Sequence, residues 1–543
     1  MNTPSGGRDV WVVPDDEARV IGPWVRQKAD RNGDKVALEI MGERRTYAQL
    51  ATDAARVASG FTGELGLVAG DHVASMMKNS IPSVDLWFGL TTAGVVEVPI
   101  NNANRGDTLS YLLRQSRSAA VVVDEEFLDR VAQLAPDLPE LRHVVVHREG
   151  DEGTPVLPDH VTLHELPSLY GEGTYPEPDL ALSDTAVIMY TSGTTGPSKG
   201  AMLSHEANLS LARHTAWLMG YDSADHLYSA FPLFHINARY TTVLAAMAAD
   251  ASAVMDQRFS ASTFWDMCRE RGVTAFNYMG ALLTILWKQP ERADDADNPV
   301  RYGFGAPTPA ELWEPFEERF DLRFTEIYGS TEVANTIQNP VWERKVGRAG
   351  RESPTYHVRV VDEKDRPLPA GEAGEIVVRP KKPFVAFSGY YEMPDKTVES
   401  WRNLWFHTGD RGRFDEDGYL TFIDRMKDCV RRRGENISSY EVESIVNTHE
   451  AVAESAVIGV SSELSEEEVM VCVVVKEGHT VSEVDLLDWC SPRMAHFAVP
   501  RFIRWMDGLP KNASERVQKF RLREDGVTDD TWDREAHGYV VER

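Results

Sequence analysis

Cysteine is scarce in this chain, with four among 543 residues. Cys268, Cys429, Cys472 and Cys490 are widely scattered and form no C-x-x-C pair. That excludes a zinc ribbon and a disulfide framework and leaves buried or idle thiols. Long apolar runs are also missing: no segment approaches the ~18 uninterrupted apolar residues of a bilayer span. The opening stretch, MNTPSGGRDVWVVPDDEARV, has no basic start leading into an apolar run, so a soluble, cytoplasmic protein without membrane contact is expected. Positive charge is the third shortage. Lys and Arg number 57 against 85 Asp and Glu, a formal net charge of −28. Nucleic acids and anionic membranes both require a positive field, so neither is expected as a partner. An anionic ligand would need local help. Two local reversals exist, RMKDCVRRR (425–433) and RVQKFRLR (516–523), although most charge runs are solvated faces.

What is present is enough apolar material, 42% of residues, to bury a large core in two or more domains. Short β-branched runs, AVVVD (120–124), HVVVH (143–147), HVRVV (357–361) and EIVVRP (375–380), alternate with helical patterns such as TYAQLATDAARVASGF. This alternation predicts an α/β architecture. No internal repeat interrupts it, and the Gly, Pro and acid clusters at 149–158 and 171–178 read as surface loops. After DEDGYLTFIDR the text turns to SAVIGV, EVMVCVVV and one helical pattern, SEVDLLDWCSPRMAHF. The best single boundary lies at 424–428, giving a large domain over 1–424 and a small one over 425–543.

One stretch stands apart. YTSGTTGPSKG (190–200) gathers glycines, hydroxyls and one lysine around a proline, between a strand-like AVIMY and a helix-like HEANLSLARHTAWLM. Inward-facing backbone N–H groups, hydroxyls and an ammonium suit a polyphosphate. The spacing is not that of the P-loop, because Ser198 stands where Gly-Lys is needed. Further along, IYGSTE (327–332) ends an apolar strand with an aromatic ring, a glycine turn, hydroxyls and a carboxylate, able to stack a flat ring and set Glu332 beside a metal-bound phosphate. FHTGDRG (406–412) and IDRMKD (423–428) each place an Asp near Gly or Arg, as in carboxylates that accept ribose hydroxyls. Singly, each is a common turn composition.

Together and in this order these stretches resemble the adenylate-forming superfamily of acyl-CoA synthetases, luciferases and adenylation domains. The resemblance runs from RTYAQL (45–50) and AGVVEVPIN (93–101) through FPLFHINA (231–238) and RRRGENISSYEVE to LPKNASERVQKFRLRE. The last two wordings are most similar to carboxylate–CoA ligases of the crotonobetaine/carnitine or fatty-acid type. The resemblance implies a large N-terminal domain of mixed sheets packed with helices, a small mobile α+β C-terminal domain, and a hinge at Lys427. It implies ATP, Mg²⁺ and coenzyme A, and a reaction in which a carboxylate and ATP give acyl-AMP and pyrophosphate before the CoA thiol displaces AMP. It also allows a homodimer.

Carried over to this sequence, Thr191, Ser192, Gly193, Thr194, Thr195, Gly196 and Lys199 would hold the β- and γ-phosphates. Tyr328 and Gly329 would meet adenine, Ser330 and Thr331 the α-phosphate, and Asp410 and Arg425 the ribose and phosphate. Glu332 would hold Mg²⁺, and Arg433 and Gly434 would line the pantetheine tunnel. His235 would gate the acyl pocket, built from FHINARY (234–240), FNYMG (276–280) and GFGAPTP (303–309), where Phe304 would shorten it for a small or planar acid. Relatives place a Gly-Lys where this chain has Glu515-Arg516, so Arg516 or Lys519 would supply the cation of the first step. Two alternatives keep the nucleotide: a different acceptor or a non-carboxylate oxyanion, and a nucleotide-binding protein that has lost catalysis.

Overall fold

The computed structural model describes the chain apart from residues 1–12, 15, 149, 151–152, 154, 192–196, 288, 307, 309, 426–428, 462–465, 511–516, 518 and 542–543. A few further strand and helix positions, Arg425 among them, are described by backbone alone. The chain divides into two compact units. The first comprises 1–100, 116–190 and 200–424, and the second comprises 101–115, 191–199 and 425–543.

The first unit contains an eight-stranded sheet and a nine-stranded sheet, both largely parallel, and a smaller five-stranded sheet. In the eight-stranded sheet His72–Met76, Ala120–Asp124 and His143–His147 run parallel with Val121 opposite Val144. Their valines are fully buried, as expected of strands covered on both faces. The nine-stranded sheet sets His226–Ser229, Ala275–Tyr278, Tyr302–Gly305 and Arg323–Ser330 side by side. The five-stranded sheet is antiparallel, pairing Tyr356–Val361 with Gly374–Pro380 and the latter with Trp405–Phe414.

Helix His205–Met219 follows strand Lys199–Ser204 directly. The Ser204 side chain caps it by accepting from the Ala207 N–H, and Gly220 ends it in the left-handed region at φ 63°, the usual chemistry at both helix ends. Below it, residues Arg239–Leu244 form a π-helical turn. Its first side chain, Arg239, is buried and forks onto Glu97 at 2.6 and 2.9 Å. Arg239 also donates to the Leu233 carbonyl at 2.9 Å and lies 4.3 Å from the Trp87 ring centroid. Glu97 accepts a further hydrogen bond from Ser75, so this buried charge pair is richly hydrogen-bonded.

The second unit has its own core, built from Val430, Val457, Val471, Leu487, Val499 and Ile503. Its four-stranded sheet orders Val452–Ser461, Glu467–Val475, Phe502–Trp505 and Trp532–Asp533. The helix expected over SEVDLLDWCSPRMAHF is shorter than its pattern and spans Glu483–Cys490, because Pro492 has no N–H with which to continue it. Cys268, Cys472 and Cys490 are buried free thiols, and burial raises the thiols of Cys472 and Cys490 to about 11 and about 12. Among the described residues no helix is long and apolar enough to cross a membrane.

Candidate active site

Strand Arg323–Ser330 delivers the first group of site residues. Its register against Ala334–Gln338 shifts between Tyr328 and Gly329. A Cβ on Gly329 would lie 1.6 Å from the Ala334 carbonyl oxygen, so only glycine fits this bulge. The bulge leaves Tyr328 buried with its hydroxyl donating to Asp410 Oδ2 at 2.7 Å. Its carbonyl accepts from Thr336 at 3.1 Å. Asp410 stands on strand Trp405–Phe414, and its backbone N–H is tied to Thr408 Oγ1 at 3.1 Å. Phe422, 40% exposed, stacks on the Tyr328 ring at 6.1 Å between centroids and 29° between planes. A flat ring face and a carboxylate therefore stand together, although 82 positions separate them in sequence.

The chain next presents Ser330, Thr331 and Glu332. Glu332 is 8% exposed. Its Oε2 accepts from Ser330 at 2.8 Å and its Oε1 from the Tyr390 hydroxyl at 2.9 Å. Burial, and then the Glu332 charge, keep the Tyr390 phenol protonated far above its ordinary range, so it remains a donor. Each Glu332 oxygen retains a lone pair. Among the described residues no group of three or more His, Cys, Asp or Glu is gathered to hold a metal. A lone, oriented carboxylate suits Mg²⁺, which takes one or two protein carboxylates and fills its shell with phosphate oxygens and water.

A small internal crevice, with room for about one water, lies beside Thr331 and Glu332 and is lined by Leu203, Ala207, Asn208, Leu211, Ile236 and Tyr240. His235 precedes this lining and tilts against Phe234 at 4.6 Å; Ile236, and not His235, lines the crevice. On the opposite face of the same stretch, Asn277 Nδ2 donates to Asn237 Oδ1 at 2.9 Å, Thr241 Oγ1 at 2.9 Å and Thr242 Oγ1 at 2.7 Å. Phe304 is packed into the large core cluster and is not among the crevice residues. Phe304 stands on a central strand whose register pairs it with Asn277 and Thr325. Glu326, in the middle of the site strand Arg323–Ser330, accepts from the Thr308 N–H, and burial lifts its carboxyl to about 7.

The structure thus brings together Tyr328, Gly329, Ser330, Thr331, Glu332 and Asp410. Ser192, Gly193, Thr194, Thr195, Gly196, Lys427 and Arg516 lie outside the described residues, and the Arg425 side chain does too. Of the second unit, Thr191 Oγ1 donates to the Lys199 carbonyl at 3.4 Å. Arg433 and Gly434 form the two-residue turn between Cys429–Arg432 and Glu435–Ser438, with φ values of 51° and 84°, the left-handed pair that closes tight hairpins. Lys519 is held by Glu443 at 2.6 Å and Ser439 at 3.0 Å. Sequence reasoning missed Tyr390, whose hydroxyl holds Glu332. For Tyr390 the signal available was a buried-type aromatic within SGYYEMPD, which names no partner.

Comparison with known proteins adds to this geometry. The AMP-binding enzyme family matches residues 25–391, and the AMP-binding enzyme C-terminal domain matches 441–516. The crotonobetaine/carnitine–CoA ligase of Salmonella typhimurium is 31% identical over 504 residues, covering 90% of this chain and 96% of that protein. ATP-bound MatB from Rhodopseudomonas palustris superposes with a TM-score of 0.69 at 29% identity, covering 93% of this chain and 98% of that one. The o-succinylbenzoate CoA synthetase of Bacillus subtilis, at 24% identity and a TM-score of 0.79 over 93% of this chain and 98% of its own, shares the fold.

Proposed function

This chain belongs to the family of AMP-binding enzymes and is an ATP-dependent carboxylate–CoA ligase acting through an acyl-adenylate; we propose that its first half-reaction is organised by the Tyr328–Asp410 pair and Glu332. The observation that carries this assignment is the convergence of a ring face, a carboxylate set for ribose and a second, donor-capped carboxylate around one bulged strand. Tyr328 offers its ring to adenine and Asp410 accepts the ribose hydroxyls. Ser330 and Thr331 stand at the α-phosphate. Glu332 would hold Mg²⁺, which would supply neutralisation of the phosphate charge that grows as pyrophosphate departs.

The attacking carboxylate is already an anion, so this chain has no proton to remove from it. Its task is placement and charge neutralisation. A carboxylate oxygen bonds to the α-phosphorus as the bond to the β-phosphate oxygen breaks. The CoA sulfur later bonds to the acyl carbon, its proton is released and AMP leaves. Thr191 to Gly196 and Lys199 take the outer phosphates in this reading. Arg425 meets the ribose or phosphate, and Arg433 and Gly434 meet pantetheine. His235 stands at the pocket mouth. Lys427 is the hinge between 1–424 and 425–543. The acid is small or planar. A cytoplasmic location and a homodimer belong to the same proposal.

Substituting Glu332→Ala tests it. Acyl-AMP formation, read as pyrophosphate release, should fall by about a hundredfold or more while ATP still binds, because a lost metal anchor harms the charged transition state more than the ground state. Acyl-AMP formation at the wild-type rate would remove Glu332 from this role.

A further inference from the structure

Three consecutive glutamates, 466–468, stand at the start of strand Glu467–Val475, and each addresses the hairpin formed by Cys429–Arg432 and Glu435–Ser438. Glu467 Oε2 accepts from the Arg431 N–H at 2.9 Å. Glu468, with its side chain 2% exposed, pairs with Arg432 Nε at 2.5 Å and stands 3.6 Å from the Arg433 guanidinium. Glu466 reaches the tip of the hairpin, where its Oε2 accepts from the Gly434 N–H at 2.9 Å. Its side chain is 5% exposed. Burial raises the Glu466 carboxyl above its ordinary range, and the Arg431 charge, then the N–H groups of Gly434 and Arg433, pull against that rise.

The first residue of this turn is not one that such turns favour. A two-residue hairpin loop with positive φ at both positions selects Asn-Gly, Asp-Gly or Gly-Gly, yet here Arg433 holds φ 51° ahead of Gly434 at 84°. A side chain of this size in the left-handed region persists only where its surroundings enforce the conformation. Successive N–H groups in a turn of this kind form a concave nest for an anion. Glu466 supplies the anion from within the chain. We propose that Glu466 is a positioning residue whose carboxylate fills the nest at Arg433 and Gly434 and holds the turn in the shape that meets pantetheine. It acts through the turn and not on the reacting atoms. This inference rests on the reading in which Arg433 and Gly434 meet pantetheine. Without the carboxylate the turn N–H groups lose their acceptor and Arg433 is free to leave positive φ, so CoA binds only the fraction of molecules that keep the turn, and its apparent affinity falls by that fraction.

The test uses the full chain and needs no acid. Hydrogen exchange is followed over residues 429–438, equilibrium binding of CoA is measured in the presence of AMP, and ATP binding reports an intact first-step site. Glu466→Ala should speed exchange at the turn and weaken CoA binding, each by about tenfold or more, while ATP binding changes by less than about twofold. Glu466→Gln, which keeps an acceptor oxygen, should retain most of the protection and most of the CoA affinity. A second background separates positioning from general damage. In the Arg433→Asn chain, whose first turn residue takes positive φ readily, adding Glu466→Ala should alter CoA binding by less than about twofold. Unchanged exchange in Glu466→Ala overturns the proposal, and so does an equal loss of CoA affinity in both backgrounds. Faster exchange with unchanged CoA binding, or a wild type that binds no CoA, overturns it by contradicting the pantetheine reading of the turn. Should Glu466→Ala lose ATP binding altogether, Glu466→Ser takes its place under the same criteria.

Discussion

Two cations of the C-terminal stretch compete for one task, and the surroundings of Lys519 bear on the choice. Lys519 is held between Glu443 and Ser439, with its side chain 14% exposed, so using it in adenylation means breaking a short ion pair. In the proposed reading Arg516 takes the place of the family's lysine, and its planar fork keeps the charge while changing the donor geometry. Arg516→Ala should therefore reduce adenylation by at least tenfold more than Lys519→Ala, measured as pyrophosphate release, while preformed acyl-AMP still passes to CoA. The reverse ranking would give the role to Lys519. A second residue-level prediction concerns Asp85. Burial, and then the neighbouring Asp53 carboxylate, push its carboxyl up to about 7, against a Tyr170 hydroxyl that donates to it at 3.0 Å. The unfolded carboxyl titrates near 3.9, so between about pH 4 and 7 the folded chain keeps a proton that the unfolded chain has released. Stability falls as pH rises through that window and levels off above it. Asp85→Asn should shrink the drop in melting temperature from pH 4.5 to 7.5, and an unchanged drop would acquit Asp85. Sequence alone singled out Tyr328, Glu332 and Asp410 because each sits in a compact motif. It could not reveal Tyr390, whose contact with Glu332 comes from folding.

Helix His205–Met219 was legible in full from HEANLSLARHTAWLM, with its serine cap and glycine stop, because local propensity and tertiary packing agree there. The π-helical turn at Arg239–Leu244 was not. No residue pattern announces an i→i+5 turn, and this one begins at a guanidinium drawn into the core by Glu97 from a strand 142 positions earlier. That pair fixes the wall carrying Ile236 and Tyr240, and its worth can be measured. Arg239→Met leaves Glu97 buried without its counter-charge, which should cost about 3–5 kcal/mol. Adding Glu97→Leu should recover much of that loss, since an apolar pair of similar size needs no compensation. Thermal melts of the single and double variants decide it. Equal losses would show that packing, not charge, holds the turn. The helix ending at Cys490 teaches the opposite lesson, because its apolar spacing ran on while Pro492 had already closed it.

At the scale of the whole molecule, a net charge of −28 weighs against polyanionic partners and makes the candidate phosphate-binding stretches stand out. The alternation of buried valine strands with helices was readable because parallel strands covered on both faces are written as continuous β-branched runs. The strand order was not, since parallel neighbours come from distant segments: His226–Ser229 lies between Ser252–Met255 and Ala275–Tyr278. The change in texture near 424–428 falls where the second compact unit takes up the chain at Arg425. That this unit also includes 101–115 and 191–199 left no mark in composition. The central claim is that one chain runs two chemically separable steps, adenylation and thioester formation. It is tested most directly by following ATP, AMP, pyrophosphate and thioester together for an accepted acid, with and without CoA. The account predicts acid-dependent exchange of pyrophosphate into ATP when CoA is absent, and AMP release matched one to one by thioester when CoA is added. Acid-dependent AMP release that consumes no CoA, or thioester formed without any exchange reaction, would contradict it.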